Sequence, residues 1–371
     1  MSGKIRLSKS SIGDSEKQAV LKVLDNEFLG MGAEVQQFET DIKSYLQTDM
    51  DVVCVNTGTS ALHLALSTLN IGVGDEVLVP SLTYVASYQA ISATGAIPIS
   101  CEIKENTLFI DVDDARGKIT SNTKVIMPVH YASSSKGIEE VYSLAKEYKL
   151  RVVEDAAQSF GCKRDSDFVG KRGDIICFSF DGIKNITSGE GGAILSGDKE
   201  FIQRVKDTRL LGVEKDTEKR YNKERSWDFD VSYQGFRYHM SNIMAAIGVE
   251  QLQRVEEFKA KRQEIVQYYL QNLKTVKEVE FLDFNYEELI SHIFVIKAKK
   301  RDGLREYLLK NDIECGVHYK PNHLLSKYKI KDALCITEKI YEEILTLPCH
   351  VDLTQIEQNK VIKIIREFYG K

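Results

Sequence analysis

Apolar positions recur at helical spacing in the first stretch of the chain and then change period. Asp14-Ser15 followed by Glu16 caps a predicted helix over 17–24, and 33–46 reads as a second. From residue 50 short β-rich runs take over, at 52–55, 76–79, 97–101 and 125–129, and the series continues at 152–154, 175–180 and 193–195. Helical stretches fall between several of them, at 60–69, 85–93 and 139–148. Strands alternating with helices predict an α/β fold, a mostly parallel sheet with helices on both faces. The pattern breaks at 214–232, a charged and irregular stretch expected at the surface. A long helix, with room for a bend, is predicted from about 240 to 273. Beyond it, from 281 to the end, a strand at 294–296 and helices at 304–311 and 356–368 predict a smaller α+β region. The expected division is therefore a large α/β domain over 1–240, N-terminal helices included, and a linking helix with a small domain over 241–371. Only five prolines occur and no Pro-rich linker is present, so the two parts are expected to pack closely.

Composition narrows the class. With 371 residues, 43% hydrophobic and 28% charged, the chain can bury a large core without disulfide or metal staples. A formal net charge of −5 demotes nucleic acid and anionic membranes as partners. The seven cysteines (54, 101, 162, 177, 315, 335 and 349) are scattered, with no C-x-x-C pair. They read as reduced thiols of a cytoplasmic protein, with no metal site expected. The charged opening Met1-Ser2-Gly3-Lys4-Ile5-Arg6 lacks the apolar stretch of a secretory signal. The uncharged run 77–101 is long enough to span a bilayer, but Pro80, Gly95, Pro98 and its many hydroxyls make it strand, loop, helix and strand.

In an open parallel sheet, ligands sit beyond the carboxyl ends of the strands. Three segments put polar residues there. Asn56-Thr57-Gly58-Thr59-Ser60 opens a helix after a strand, where backbone N–H groups and the helix dipole suit a phosphate; a plain N-cap with a tight turn is the alternative. No G-x-G-x-x-G follows a strand, and Gly170-Lys171-Arg172 is not a P-loop. Val152-Val153-Glu154-Asp155-Ala156-Ala157-Gln158 ends a hydrophobic strand in an acid, which either caps the next helix or holds a protonated ring nitrogen. Phe178-Ser179-Phe180-Asp181-Gly182-Ile183-Lys184-Asn185, followed by Gly189-Glu190-Gly191-Gly192, sets one lysine among small residues after an apolar strand. A partly desolvated lysine has a lowered pKa and can form a Schiff base with an aldehyde. Phosphate at Thr59 and Ser60, a ring-nitrogen carboxylate at Asp155 and an aldehyde carbon at Lys184 are together the minimum set for pyridoxal 5'-phosphate.

At this point the chain resembles the DegT/DnrJ/EryC1/StrS sugar aminotransferases, which act on nucleotide-linked ketosugars. The blocks that carry the resemblance run through almost the whole chain. They are Asn56-Thr57-Gly58-Thr59-Ser60-Ala61-Leu62, Gly74-Asp75-Glu76-Val77, Pro80-Ser81-Leu82-Thr83-Tyr84-Val85-Ala86, Pro128-Val129-His130, Glu154-Asp155-Ala156-Ala157-Gln158, Phe178-Ser179-Phe180 and Lys184-Asn185. The resemblance implies the aspartate-aminotransferase-like fold (fold type I) with a seven-stranded sheet, and pyridoxal 5'-phosphate that passes through pyridoxamine phosphate. It implies Lys184 as the catalytic lysine, Asp155 at the pyridine nitrogen and Gln158 at the phenolic oxygen. Tyr84 would stack on the ring, and Gly58, Thr59, Ser60 and Ser179 would bind the phosphate. Tyr84 as an ordinary core aromatic and Ser179 as a strand hydroxyl are the alternatives.

The block Gly189-Glu190-Gly191-Gly192 is most similar to members that aminate C4 of the hexose. The resemblance therefore implies transfer of the amino group of L-glutamate to C4 of a nucleoside-diphosphate-linked 4-keto-6-deoxyhexose, in amino-sugar synthesis for O-antigen, capsule or other glycans. A C3-ketosugar or a ketocyclitol is the alternative acceptor, and a non-catalytic regulator is the alternative class. Family members that dehydrate carry histidine at the lysine position, where this chain has Lys184. The resemblance also implies a cytoplasmic homodimer with shared active sites. One departure stands out: where the family often reads Gly-x-Asn-x-Arg-Met, with its Asn reaching the neighbouring subunit's phosphate, this chain reads Gly235-Phe236-Arg237-Tyr238-His239-Met240. Arg237 is thereby a candidate for that phosphate or for the substrate diphosphate. His318-Tyr319-Lys320-Pro321-Asn322-His323 is similar to a loop bordering the sugar site, which makes His318, Tyr319 and His323 substrate candidates; a surface His-Tyr pair is the alternative.

Overall fold

The computed structural model describes residues 3–224 and 227–371. Its strands, in chain order, are β1 Asp51–Val55, β2 Glu76–Pro80, β3 Ile97–Cys101, β4 Thr123–Ile126, β5 Arg151–Asp155, β6 Lys163–Arg164, β7 Asp167–Phe168, β8 Ile175–Ser179, β9 Gly192–Ser196, β10 Val279–Phe281, β11 Phe294–Ala298 and β12 Ile344–Leu347. The helices are α1 Asp14–Asp25, α2 Ala33–Tyr45, α3 Gly58–Thr68, α4 Val85–Ala93, α5 Val112–Gly117, α6 Ile138–Tyr148, α7 Lys199–Thr208, α8 Asp216–Tyr221, α9 Asn242–Gln253, α10 Val255–Leu273, α11 Arg301–Lys310, α12 Cys335–Glu343 and α13 Gln355–Phe368.

Seven strands form the main sheet in the order β1-β9-β8-β5-β4-β2-β3. Successive residues alternate between its faces, and both faces are apolar. Val53, Val55, Val77, Val153 and Ile175 meet α3, α4 and α7 on one side. On the other side Val52, Cys54, Ile176 and Phe178 meet α2 and α9, while Leu78, Ile126 and Val152 meet α6. A doubly covered sheet needs such unbroken apolar strands, which is why the runs were legible in the sequence. β9 alone runs against its neighbours β1 and β8. The reason lies in its connection: no helix intervenes between Ser179 and Gly192, and a parallel return needs a crossover, usually helical.

The expected long helix is two helices meeting at Arg254, the C-cap of α9 and the N-cap of α10. α9 packs in the large core with α2, and so do Val255 and Phe258 of α10. Further along α10, Ile265, Val266, Tyr269 and Leu273 pack instead on the antiparallel sheet β10-β11-β12 with α11 and α13. The irregular stretch 214–232 contains the short helix α8. Among the described residues no helix is long and apolar enough to cross a membrane, and no group of three or more His, Cys, Asp or Glu side chains could hold a metal ion.

A buried charge pair, which periodicity does not announce, fastens these layers. Arg209 has no exposed surface. Its Nη1 donates to Glu39 Oε1 and to the Cys54 carbonyl, both at 2.6 Å, and its Nη2 donates to the Tyr221 hydroxyl at 2.9 Å. Glu39 Oε1 also accepts from the Cys54 amide at 2.7 Å, so α2, β1, α8 and the end of α7 share one knot. Removing one partner of such a pair strands the other charge. Arg209→Met is expected to cost about 3–5 kcal/mol, seen as a lower urea midpoint with an unchanged slope. A midpoint equal to that of the parent protein would mean that Glu39 is satisfied by other means.

Candidate active site

The carboxyl ends of β1, β2, β5 and β8 open into one cavity of about 590 Å³. Its walls include Thr57, Gly58, Thr59, Thr83, Tyr84, Asp155, Gln158, Ser179, Asp181, Lys184 and Glu190 from the large sheet's loops. His292, His318 and Tyr319 close it from the side of the small sheet.

One end of the cavity is built to take an anion. Thr57 caps α3: its side chain accepts from the Ser60 amide at 2.9 Å, leaving the first turn of an eleven-residue helix facing the cavity. Thr59 adds an exposed hydroxyl there. A Cβ on Gly58 would come within 2.7 Å of the Ser179 Cβ, so only glycine leaves the cradle between α3 and Ser179 open. Ser60, expected to bind phosphate, is turned away. Its Oγ accepts from the Thr57 amide at 3.0 Å in the capping box and donates to Asn56 Oδ1 at 2.7 Å, and it is outside the cavity wall.

Asp155 ends β5 and is buried. Its Oδ2 accepts from Ser87 Oγ at 2.7 Å and its Oδ1 from the Ala157 amide at 3.2 Å. No lysine, arginine or histidine lies within ion-pair distance of it among the described residues, and Lys184, on the same cavity, acts on it only at longer range. Three residues on, Gln158 Oε1 accepts from the Ala132 amide at 2.8 Å. A backbone N–H can only donate, which fixes the amide flip. Gln158 therefore presents its NH₂ group, which donates to the Tyr319 hydroxyl at 3.0 Å. Tyr84 is 58% exposed on the cavity wall, its ring 5.5 Å from that of Tyr319, and so it is no core aromatic.

Lys184 sits on a tight turn in which its amide donates to the Asp181 carbonyl at 3.1 Å. Its Nζ makes no hydrogen bond or ion pair among the described residues. Burial lowers its pKa, against the pull of Asp155 and Asp181, so the amine gives up its proton more easily than a surface lysine does. His292 and His318 stand on the same cavity. Burial and the Lys184 charge take His318 down to about 4, and burial, Lys184, Arg262 and His318 take His292 well below the usual imidazole range. Both rings are therefore neutral at pH 7. Glu190 is raised by burial and by Asp181.

Two further candidates fall outside the wall. His323 is buried, its Nδ1 within 2.7 Å of Ser81 Oγ and its Nε2 within 3.1 Å of Glu338. It ties the turn after β2 to α12. Arg237 is exposed on a segment that runs beside the end of β1, where Val55 bridges His239 and the Asn56 amide donates to the Tyr238 carbonyl. In a single chain it does not reach the cavity. Conversely, the sequence held no sign of His292 as a wall residue, since a lone histidine before a predicted strand carries no motif, and Thr57 and Thr83, though inside quoted motifs, were given no role of their own.

An anion cradle, an unpaired buried carboxylate, an amide donor and a lysine poised to lose its proton define an α/β enzyme of the aspartate-aminotransferase class. Comparison with known proteins gives the same result. Residues 10–366 match the profile of the DegT/DnrJ/EryC1/StrS aminotransferase family. The chain is 34% identical over 370 residues to the GDP-perosamine synthase of Escherichia coli O157:H7, covering 99% of each chain. Among solved structures it is similar to the aminotransferase TlmJ from Streptoalloteichus hindustanus, with a TM-score of 0.92, 29% identity and 99% of each chain covered. It is also similar to the PLP form of Spr1654 from Streptococcus pneumoniae, with a TM-score of 0.91, 27% identity and 99% of each chain covered. The chain belongs to the DegT/DnrJ/EryC1/StrS aminotransferase family.

Proposed function

We propose that this protein uses pyridoxal 5'-phosphate to move the amino group of L-glutamate to C4 of a nucleoside-diphosphate-linked 4-keto-6-deoxyhexose. The observation that carries the reading is Lys184: a lysine with a lowered pKa and no hydrogen-bond or ion-pair partner among the described residues, in a cavity that also holds Asp155, Gln158 and the α3 cradle. These residues fit the cofactor group by group. Gly58, Thr59 and Ser179 would hold its phosphate, Asp155 its ring nitrogen, Gln158 its phenolic oxygen and Tyr84 a ring face. When bound, the cofactor supplies a carbon that accepts the amino group and a cationic ring that takes up the electrons left by the departing proton. Lys184 Nζ holds and releases the proton that moves during transfer, first as base and then as acid. The neutral His292 and His318 keep a second positive charge away from that amine.

Support for C4 comes from the Gly189-Glu190-Gly191-Gly192 block beside Lys184 and from the kinship with a GDP-perosamine synthase. A cytoplasmic homodimer feeding surface-glycan synthesis belongs to the same reading, with Arg237 serving the neighbouring subunit's site. The test is a visible spectrum of the protein loaded with pyridoxal 5'-phosphate, before and after L-glutamate, followed by a panel of nucleotide 4-ketosugars, nucleotide 3-ketosugars and ketocyclitols scored for 2-oxoglutarate release. The expected result is a visible band that bleaches with glutamate and multiple turnover with a 4-ketosugar. Turnover confined to a 3-ketosugar or a ketocyclitol overturns the C4 assignment. No band and no turnover overturn the enzyme reading.

A further inference from the structure

Asp155 is held by hydrogen bonds alone, and one of them has a second residue behind it. Ser87, on α4, has no exposed surface, and its Oγ lies 2.7 Å from Asp155 Oδ2 and 2.9 Å from Thr83 Oγ1. A serine hydroxyl has a single proton, and an ionised carboxylate only accepts. That proton therefore lies on the line to Asp155, and the Thr83 hydroxyl must donate to Ser87. The charge on Asp155 sets the direction of the whole chain. Thr83 is itself fixed: its amide donates to the Ser81 carbonyl at 3.1 Å, and its carbonyl accepts from Asn322 Nδ2 at 2.8 Å. It also borders the cavity, so the chain begins and ends at the cavity wall.

We infer that Thr83 and Ser87 are positioning residues, a directed Thr83→Ser87→Asp155 relay that turns the Asp155 carboxylate toward the cavity to face a cationic ring nitrogen. Neither hydroxyl touches the reacting atoms in this role. Both act through Asp155, which has no other side-chain hydrogen-bond partner among the described residues. This inference rests on the cofactor reading above and extends it to two residues that the resemblance does not assign.

The test is the affinity of apoprotein for pyridoxal 5'-phosphate, followed by absorbance, in the parent protein, Ser87→Ala, Thr83→Val and the double variant. Melting of each apoprotein is recorded alongside. Loss of a hydrogen bond to a charged group predicts roughly tenfold or more weaker binding for Ser87→Ala. Thr83→Val, nearly isosteric, is expected to weaken binding about threefold or more by itself. Added to Ser87→Ala it should change nothing, because its only route to Asp155 is gone. Two merely structural roles would instead give effects that multiply, and that result overturns the relay, as does parent-like affinity in either single variant. If Ser87→Ala fails to fold, Thr83→Val carries the test alone. A parent protein that takes up no pyridoxal 5'-phosphate overturns the cofactor reading and the relay with it, whereas parent-like uptake by folded variants overturns the relay only.

Discussion

Replacing Lys184 with alanine is expected to reduce multiple turnover by at least about 10⁴-fold while leaving the protein folded. The amine is the one group in the cavity with both a lowered pKa and no hydrogen-bond or ion-pair partner among the described residues, so no neighbour stands ready to replace it. The fold should not suffer, because burial of this amine opposes its charge instead of supporting it. Its folded pKa lies below the unfolded value of about 10.4. Between those two values the unfolded chain binds more protons, so the lysine destabilises the apoprotein at neutral pH, and the penalty fades as pH rises toward the unfolded value. Apo Lys184→Ala should therefore melt at the same temperature as the parent or higher, with any advantage shrinking at alkaline pH. Steady 2-oxoglutarate release by the variant without an added small amine would remove Lys184 from its role. Partial rescue by methylamine would support it.

The second large effect is expected at Asp155. Asparagine there keeps the shape and can still accept from Ser87, but it has no charge to set against a cationic ring nitrogen. Loss of a preorganised electrostatic partner of this kind predicts a fall in kcat of roughly 10³-fold. The KM for glutamate should change far less, since Asp155 faces the cofactor and not the donor. Bound cofactor should still be detectable by absorbance, held at the α3 cradle and by Lys184. Activity above a tenth of the parent value would mean that the ring nitrogen needs no anion here, and the Asp155 assignment would fall.

Much of the site was legible because its motifs are local. A strand, a glycine turn and a helix start are neighbours in sequence, so the order of residues alone places Thr57-Gly58-Thr59 at a helix N-terminus. The same holds for Asp155 at a strand end and Lys184 just after one. Ser60 shows the limit of that logic. Its hydroxyl bonds Asn56 and the Thr57 amide, and motif position alone cannot say which of two adjacent hydroxyls faces out. The surroundings of His323 were hidden for a different reason: its partners, Ser81 and Glu338, lie on the turn after β2 and on α12, and only folding brings them to it.

The sequence by itself determined the α/β class, the doubly covered sheet, the order of most strands and helices, and the family with its lysine, acid and amide. These follow from period-2 and period-3.6 patterning and from short motifs, all properties of neighbouring residues. The tertiary structure alone decided that β9 runs backward, that the long helix breaks at Arg254, and that Arg209 and Glu39 lock four elements together. It also decided that His292 joins the cavity wall, that the Gln158 amide presents its NH₂, and that Ser87 stands between Thr83 and Asp155. Each of these depends on which distant residues meet across a packed core. A hydrogen bond between residues 68 positions apart, such as Ser87 to Asp155, leaves no trace in local periodicity.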